Sequence, residues 1–186
     1  RRTKSMRSIA RTEAKKVIKG MSERKYKANE TWNGTGMSTA GTFLELSNIG
    51  SGDSRDEREG NEVSLDTLNF KYEWVKADST NVCRLIIFLW HANPPTSLLE
   101  ILESGGNFAV LSEYQQQRGI PFRVVYDKTI TINSDKSVTP IITGRVRFKG
   151  AKCKFVGTTT ADGSMNRVYA LALSNSGAAS HPSLQN

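Results

Sequence analysis

The stretch that most constrains this chain is VCRLIIFLWHA, residues 82–92. It is almost continuously apolar and rich in β-branched and aromatic side chains. It is far shorter than the roughly 18–20 apolar residues that a membrane-spanning helix needs. A run of this length with no polar alternation predicts an interior strand, and the NPPTS that follows predicts its end. The neighbouring segments are also β-patterned. TFLEL (42–46) alternates, and so does VSLDTLNFKYEWV (63–75), which sets Leu65, Leu68, Phe70, Tyr72 and Trp74 mostly on one face. FRVVYDKTITIN (122–133), ITGRVRFKG, AKCKFVG and NRVYALALSN complete a set of seven. SLLEILESG (97–105) reads as one or two helical turns capped by Thr96 or Ser97. Seven short strands with very unequal loops and little helix predict an all-β antiparallel sandwich or barrel.

The charge sits elsewhere. Residues 1–27 hold eleven Lys and Arg against Glu13 and Glu23, hence +9, so the other 159 residues of this +8 chain sum to −1. The basic residues are Arg1, Arg2, Lys4, Arg7, Arg11, Lys15, Lys16, Lys19, Arg24, Lys25 and Lys27. Lys4, Arg7, Arg11, Lys15 and Lys19 recur at helical spacing, which predicts a helix over 4–21. Met6, Ile9, Ala10, Val17 and Met21 follow a second stripe on an adjoining face. A nearly neutral body with a basic arm points to a polyanion, and nucleic acid is the commonest one. All eleven cations are therefore candidate nucleic-acid contacts, made to phosphate and without sequence specificity. A disordered basic tail and a membrane-surface helix are the competing readings. Against the second, the apolar stripe lacks Trp, Phe and Leu, so no membrane partner is expected. Residues 28–41, ANETWNGTGMSTAG, read as a linker, which divides the chain into an arm (1–27), a linker and a β-domain (42–186). Arg145, Arg147, Lys149, Lys152 and Lys154 form a second basic run, either an extension of the nucleic-acid surface or an ordinary solvated face.

Little in the sequence suggests catalysis. His91 ends an apolar strand, His181 lies in a Ser- and Ala-rich stretch, and neither has a partner at metal-ligand spacing. No nucleophile elbow, Walker loop or dinucleotide fingerprint occurs. Cys83 and Cys153 are too few for a zinc cluster and are expected as buried free thiols. The charged loop DSRDERE offers Asp53, Asp56, Glu57 and Glu59, interleaved with Arg55 and Arg58. It reads as a salt-bridged interface or a solvated turn. Its oxygens would suit a structural calcium ion, but the spacing is not that of an EF-hand, and no cofactor is expected. No signal peptide is visible, and the start at Arg1 rather than Met leads us to expect native residues missing at one or both ends.

Taken in order, several segments resemble one family. The basic helical arm, the Gly/Thr linker and TFLELSNIGSGDSRDEREGNEVSLDTLNFKYEW resemble the start of capsid proteins of small circular Rep-encoding single-stranded DNA (CRESS) viruses. CRLIIFLWHANPPTSLLEIL and IPFRVVYDKTITI resemble their next strands, with the order inverted at Pro121-Phe122-Arg123. The coat protein of satellite tobacco necrosis virus, an RNA satellite, is similar in plan and in its basic helix. This resemblance implies a single jelly roll of eight strands, B to I, sixty copies of which would close a T=1 icosahedral shell with the arms inside. It assigns residues 42–48 to B, 63–76 to C, 82–92 to D, 122–133 to E, 143–149 to F, 151–157 to G and 166–175 to H. Strand I has no candidate, because the chain closes on SNSGAASHPSLQN. Also implied are arms that cluster through Met6, Ile9, Ala10, Val17 and Met21 around three-fold axes while Arg7, Arg11, Lys15 and Lys19 face packaged single-stranded nucleic acid. Sixty arms at +9 would neutralise on the order of 540 phosphates. DNA is favoured over RNA on the resemblance alone. The implied location is the virion, with the host nucleus during assembly. Loop 49–62 is the candidate for subunit contacts and loop 93–121 for the outer surface. The competing functional classes are a cellular nucleic-acid-binding β-domain and an enzyme on a jelly-roll scaffold, the latter short of the His/Glu metal set it would need.

Overall fold

The computed structural model describes residues 5–21, 26–28, 32, 34–77, 80–116, 119, 122–133, 139–157, 165–177 and 181–185, and not the side chains of residues 15, 16, 18–21 and 107. Among the described residues there is one α-helix, α1 (Met6–Met21), and eight strands. The strands are β1 (Thr35–Gly36), β2 (Thr42–Glu45), β3 (Glu62–Val75), β4 (Thr80–Trp90), β5 (Phe122–Asn133), β6 (Ile141–Lys154), β7 (Arg167–Ser174) and β8 (Ser183–Gln185). They form two four-stranded sheets, ordered β1-β8-β3-β6 and β2-β7-β4-β5, and every pairing is antiparallel. Lettered B to I along the chain, the sheets read B-I-D-G and C-H-E-F. That is the interleaved double Greek key of a jelly roll, the form of antiparallel sandwich that the family resemblance implied.

The lettering expected from the sequence needs three corrections, each with a physical reason. First, strand B is the two-residue β1, inside the stretch read as linker, so the segments expected as B to E are C to F, while 166–175 keeps the letter H because the two segments expected as F and G are one strand. Two residues give no periodicity to detect. Second, residues 143–149 and 151–157 are not two strands. They fall on the single strand β6, which ends at Lys154 and is kinked where Lys149 (φ 55°) and Gly150 (φ 76°) enter the left-handed region. Arg147 lies opposite Thr67 and Ala151 opposite Leu65, so β6 carries extra residues at this bulge. The same irregularity shifts the phase of β3 from Val63 and Leu65 to Leu68, Phe70, Tyr72 and Trp74. Third, strand I is present. Ser183–Gln185 pairs with β3 on one side and with β1 on the other, and Leu184 is fully buried.

Burial explains the two kinds of strand pattern. Between the sheets lie Trp74, Cys83, Leu85, Ile87, Leu89, Phe148, Val168, Ala170 and Leu184, among others. The other face of β4 and β7 carries Ile86, Phe88, Trp90, Tyr169, Leu171 and Leu173, which pack against Leu98, Ile101, Leu102, Ala109 and Val110. Those last residues belong to the segment between β4 and β5, which holds two short 3₁₀ helices, Leu98–Glu100 and Gly106–Leu111. Ser97 and Glu100 close a reciprocal capping box on the first of these. Strands β4 and β7 are therefore apolar on successive residues because both faces are covered. In contrast, β3 and β6 alternate because only one face is. On their covered side Phe70 lies directly over Gly144, where a Cβ would sit 2.1 Å from the ring.

Candidate nucleic-acid interface

Helix α1 begins where Ser5 caps it: the Ser8 amide reaches the Ser5 hydroxyl oxygen at 3.3 Å and the Ser5 carbonyl at 2.9 Å. Thr12 donates back to the Ser8 carbonyl at 2.8 Å, inside the helix. Arg7 and Arg11 are exposed, as the stripe predicts. Lys15, Lys16 and Lys19 lie on the helix, with side chains outside the described set. Arg1, Arg2, Lys4, Arg24 and Lys25 lie outside the described residues. The apolar stripe is uncovered as well: Met6 is 87 % exposed, Ile9 48 % and Val17 58 %. Lys27 is engaged with the body, 3.7 Å from Asp56. Beside it the Tyr26 amide donates to the Arg55 carbonyl at 3.2 Å, and the Arg55 guanidinium sits over the Tyr26 ring. The charged loop thus holds the root of the arm.

The arm joins the body at β1, and the C-terminal segment holds that junction. Gly34 donates to the Leu184 carbonyl at 3.1 Å, and Met37 donates to Pro182 at 2.7 Å with its side chain fully buried. The Ser174 hydroxyl donates to the Met37 carbonyl. Loop 49–62 is shaped by Arg58, which is buried and donates to the carbonyls of Ile49 (3.2 Å), Gly60 and Gly157 (2.9 Å) and to Asn61 (3.2 Å). Its guanidinium also stacks on Phe155, 4.3 Å from the ring centre. The acids of this loop do not converge. Among the described residues no three His, Cys, Asp or Glu side chains come together as a metal site, those of this loop included.

Two further arginines were not singled out by the sequence reading. Arg84, in the middle of the apolar run, makes a two-pronged pair with Asp127 at 2.9 and 2.7 Å and donates to the carbonyls of Val110 (3.3 Å) and Ser112 (2.7 Å). Burial works to raise the Asp127 pKa, but the Arg84 and Tyr114 hydrogen bonds outweigh it and hold the carboxyl below its ordinary value. Burial, then the bond to Asp127, pushes Tyr114 up to about 12. Arg167 pairs with Glu45 across β7 and β2. A cation inside a strand covered on both faces demands a partner, and this was the signal available in VCRLIIFLW. Cys83 and Cys153 are free and buried, and desolvation raises their thiols to about 12 and about 11. Burial, then the charge of Arg123, lowers the pKa of His91. Among the described residues no helix is long and apolar enough to cross a membrane.

A family model of the satellite tobacco necrosis virus coat protein matches residues 1–183. The chain belongs to that family and is a viral capsid protein, which acts through copies of itself in the virion; the family is structural rather than enzymatic. A search of curated proteins returns no match.

Proposed function

We propose that this capsid protein closes a T=1 shell of sixty subunits and packages single-stranded nucleic acid, DNA in preference to RNA, through residues 1–27. The division into a basic arm (1–27) and a shell domain goes with that reading, the shell domain beginning at β1, inside the 28–41 stretch read as linker, rather than at residue 42. The observation that carries it is the double exposure of α1. Its Arg7 and Arg11 are open to solvent, and so are Met6, Ile9 and Val17. A lone amphipathic helix gains nothing from an uncovered apolar stripe. Copies brought together by a shell would bury the stripes against one another while the cations meet phosphates, which couples assembly to packaging. The choice of DNA follows the CRESS-like order of the strand segments, and the host nucleus is the corresponding assembly site.

The test is sedimentation velocity read at 260 and 280 nm, on the intact chain and after deletion of residues 1–27. A fast boundary rich in 260 nm absorbance that loses this absorbance on deletion is the expected result. A fast boundary whose nucleic acid survives the deletion would overturn the arm's role, and a slow boundary free of nucleic acid would overturn packaging altogether. Digestion of the released polymer with DNase and with RNase decides its type.

A further inference from the structure

We propose a second nucleic-acid contact on the β-body: the open face of the β3–β6 pair, centred on Arg145, Arg147 and Lys149, which takes the phosphate backbone of the same single strand as the arm. The inference rests on the packaging role above and extends it to a different surface.

The two sheets have unlike outer faces. That of the β2-β7-β4-β5 sheet lies under the segment between β4 and β5. Among the described residues no such apolar cluster covers the outer face of the β1-β8-β3-β6 sheet, and most outward residues on β3 and β6 are exposed. On β6 these are Arg145, Arg147, Lys149, Lys152 and Lys154, with no acid anywhere on the strand. Lys71 lies on the same face of β3, opposite Thr143. Among the described residues the acids of β3 are Glu62, which pairs with Lys152, Glu73, which accepts from the Thr139 hydroxyl, and the exposed Asp66 at the bulge. Arg145 makes a neutral bond to Asn69, 2.7 Å from its Nε, and keeps its charge uncompensated. Arginines two apart on one strand stand about 6.6 Å from each other, a linear array suited to a linear polyanion. The bulge at Lys149–Gly150 adds a third cation beside them.

Edge strands also carry lysine to discourage edge-to-edge pairing. That need alone does not explain β6. The edge of the other sheet, β5, is managed with Arg123 and Lys128 against Asp127, a net of +1, whereas β6 carries five cations and no acid. In addition, the arm enters the body through β1, which belongs to the same sheet as β6. A strand held by the arm and by this face would follow one sheet of the subunit.

The experiment measures binding of a fluorescein-labelled oligothymidylate to the full-length chain by anisotropy across a salt series, with sedimentation of the same samples. Each lost phosphate contact should reduce the slope of log K against log salt by about 0.7 for a single strand. The triple variant Arg145→Gln, Arg147→Gln, Lys149→Gln should lower the slope by about 2. The arm variant Arg7→Gln, Arg11→Gln, Lys15→Gln, Lys19→Gln should lower it by about 3, and the combined variant by the total. The charge-conserving pair Arg145→Lys, Arg147→Lys should keep the parent slope, and Arg123→Gln, Lys128→Gln on β5 should do the same. If the triple variant self-associates at an unchanged slope, the face is edge protection only and the proposal fails while the arm's role stands. If the arm variant keeps its slope and the triple variant loses it, the packaging role of the arm fails and the face stands. Should the triple variant not fold, Arg147→Gln alone is read instead, with a loss of about 0.7 expected and no loss overturning the proposal.

Discussion

The two sheets of this sandwich are built from the same number of strands and lie on one shared core, yet they solve different problems. The central strands β4 and β7 of the β2-β7-β4-β5 sheet are buried on both faces. The charges they carry are paired, as Arg84–Asp127 and Arg167–Glu45. The β1-β8-β3-β6 sheet is buried on one face and exposes on the other a row of cations along β6, of which Lys152 is paired with Glu62. One sheet therefore supplies rigidity, and the other combines a moderate contribution to the core with a surface free to meet a ligand. The comparison implies that equivalent substitutions should cost much more in the first sheet than in the second.

The largest contrast is between two phenylalanines. Phe88 is fully buried among Phe43, Trp90, Phe122 and Tyr169 in the two-sided sheet. Phe70, in the one-sided sheet, is partly exposed and touches Tyr72 and Tyr126. Phe88→Ala should cost about 4 kcal/mol and Phe70→Ala about 2, read from urea unfolding of dilute subunits. Equal costs would mean that the segment between β4 and β5 does not seal the sheet beneath it.

Next comes the ion pair under that segment. Arg84→Ala leaves Asp127 unpartnered and releases the carbonyls of Val110 and Ser112, at a cost of about 3 kcal/mol. This is the low end for a buried pair, because the Asp127 side chain is 31 % exposed. The pH dependence has a definite sign. The folded-state pKa of Asp127 lies below its unfolded value near 3.9, so the stabilisation is complete above about pH 4 and fades as pH falls through the folded-state pKa. Urea midpoints of the parent chain and of Asp127→Asn should differ by a constant amount from pH 7 to pH 5 and converge only in stronger acid. Convergence already at pH 5 would show that the pair is not closed in solution.

Legibility in the sequence followed the same division. The run 82–92 is an interior strand because both its faces are covered, and a continuous apolar signal survives without knowledge of the partners. Alternation in 63–75 was equally readable, and the cap before Leu98 was narrowed to Thr96 or Ser97, of which the structure uses Ser97. The exposed stripe of Arg7 and Arg11 on a helix was visible from spacing alone. By contrast, β1 and β8 have two and three residues and exist only because each pairs with the other and β8 with β3. No local pattern specifies such strands. The division at Lys149–Gly150 failed for the opposite reason. A glycine after a lysine looks like a turn, but the 14-residue β3 continues opposite both halves and converts it into a bulge. Arg58 was read as one charge among many in DSRDERE, and its burial depends on carbonyls as distant in sequence as Gly157.

A smaller effect is expected at Gly144, on the covered side of the one-sided sheet. A methyl group there would sit 2.1 Å from Cζ of Phe70, so the ring must shift toward Tyr72 and Tyr126. Gly144→Ala should cost about 1–2 kcal/mol by overpacking. The penalty should shrink in a Phe70→Leu background, where the ring is gone. A full penalty in both backgrounds would place the strain in the β6 backbone rather than in the ring contact.

The smallest change should fall on the open face itself, and there stability and function should separate. Arg147 is exposed opposite Thr67, so Arg147→Gln exchanges one solvated side chain for another. Surface substitutions of this kind usually stay within about 0.5 kcal/mol. The melting point should therefore hold while affinity for a single strand becomes less salt-dependent. A loss of stability above about 1 kcal/mol would mean that Arg147 is tied into the sheet, and the contrast between a structural sheet and a contact sheet would narrow. An unchanged melting point together with a lower salt slope would show that β6 keeps these cations for a ligand, since the fold itself does not need them.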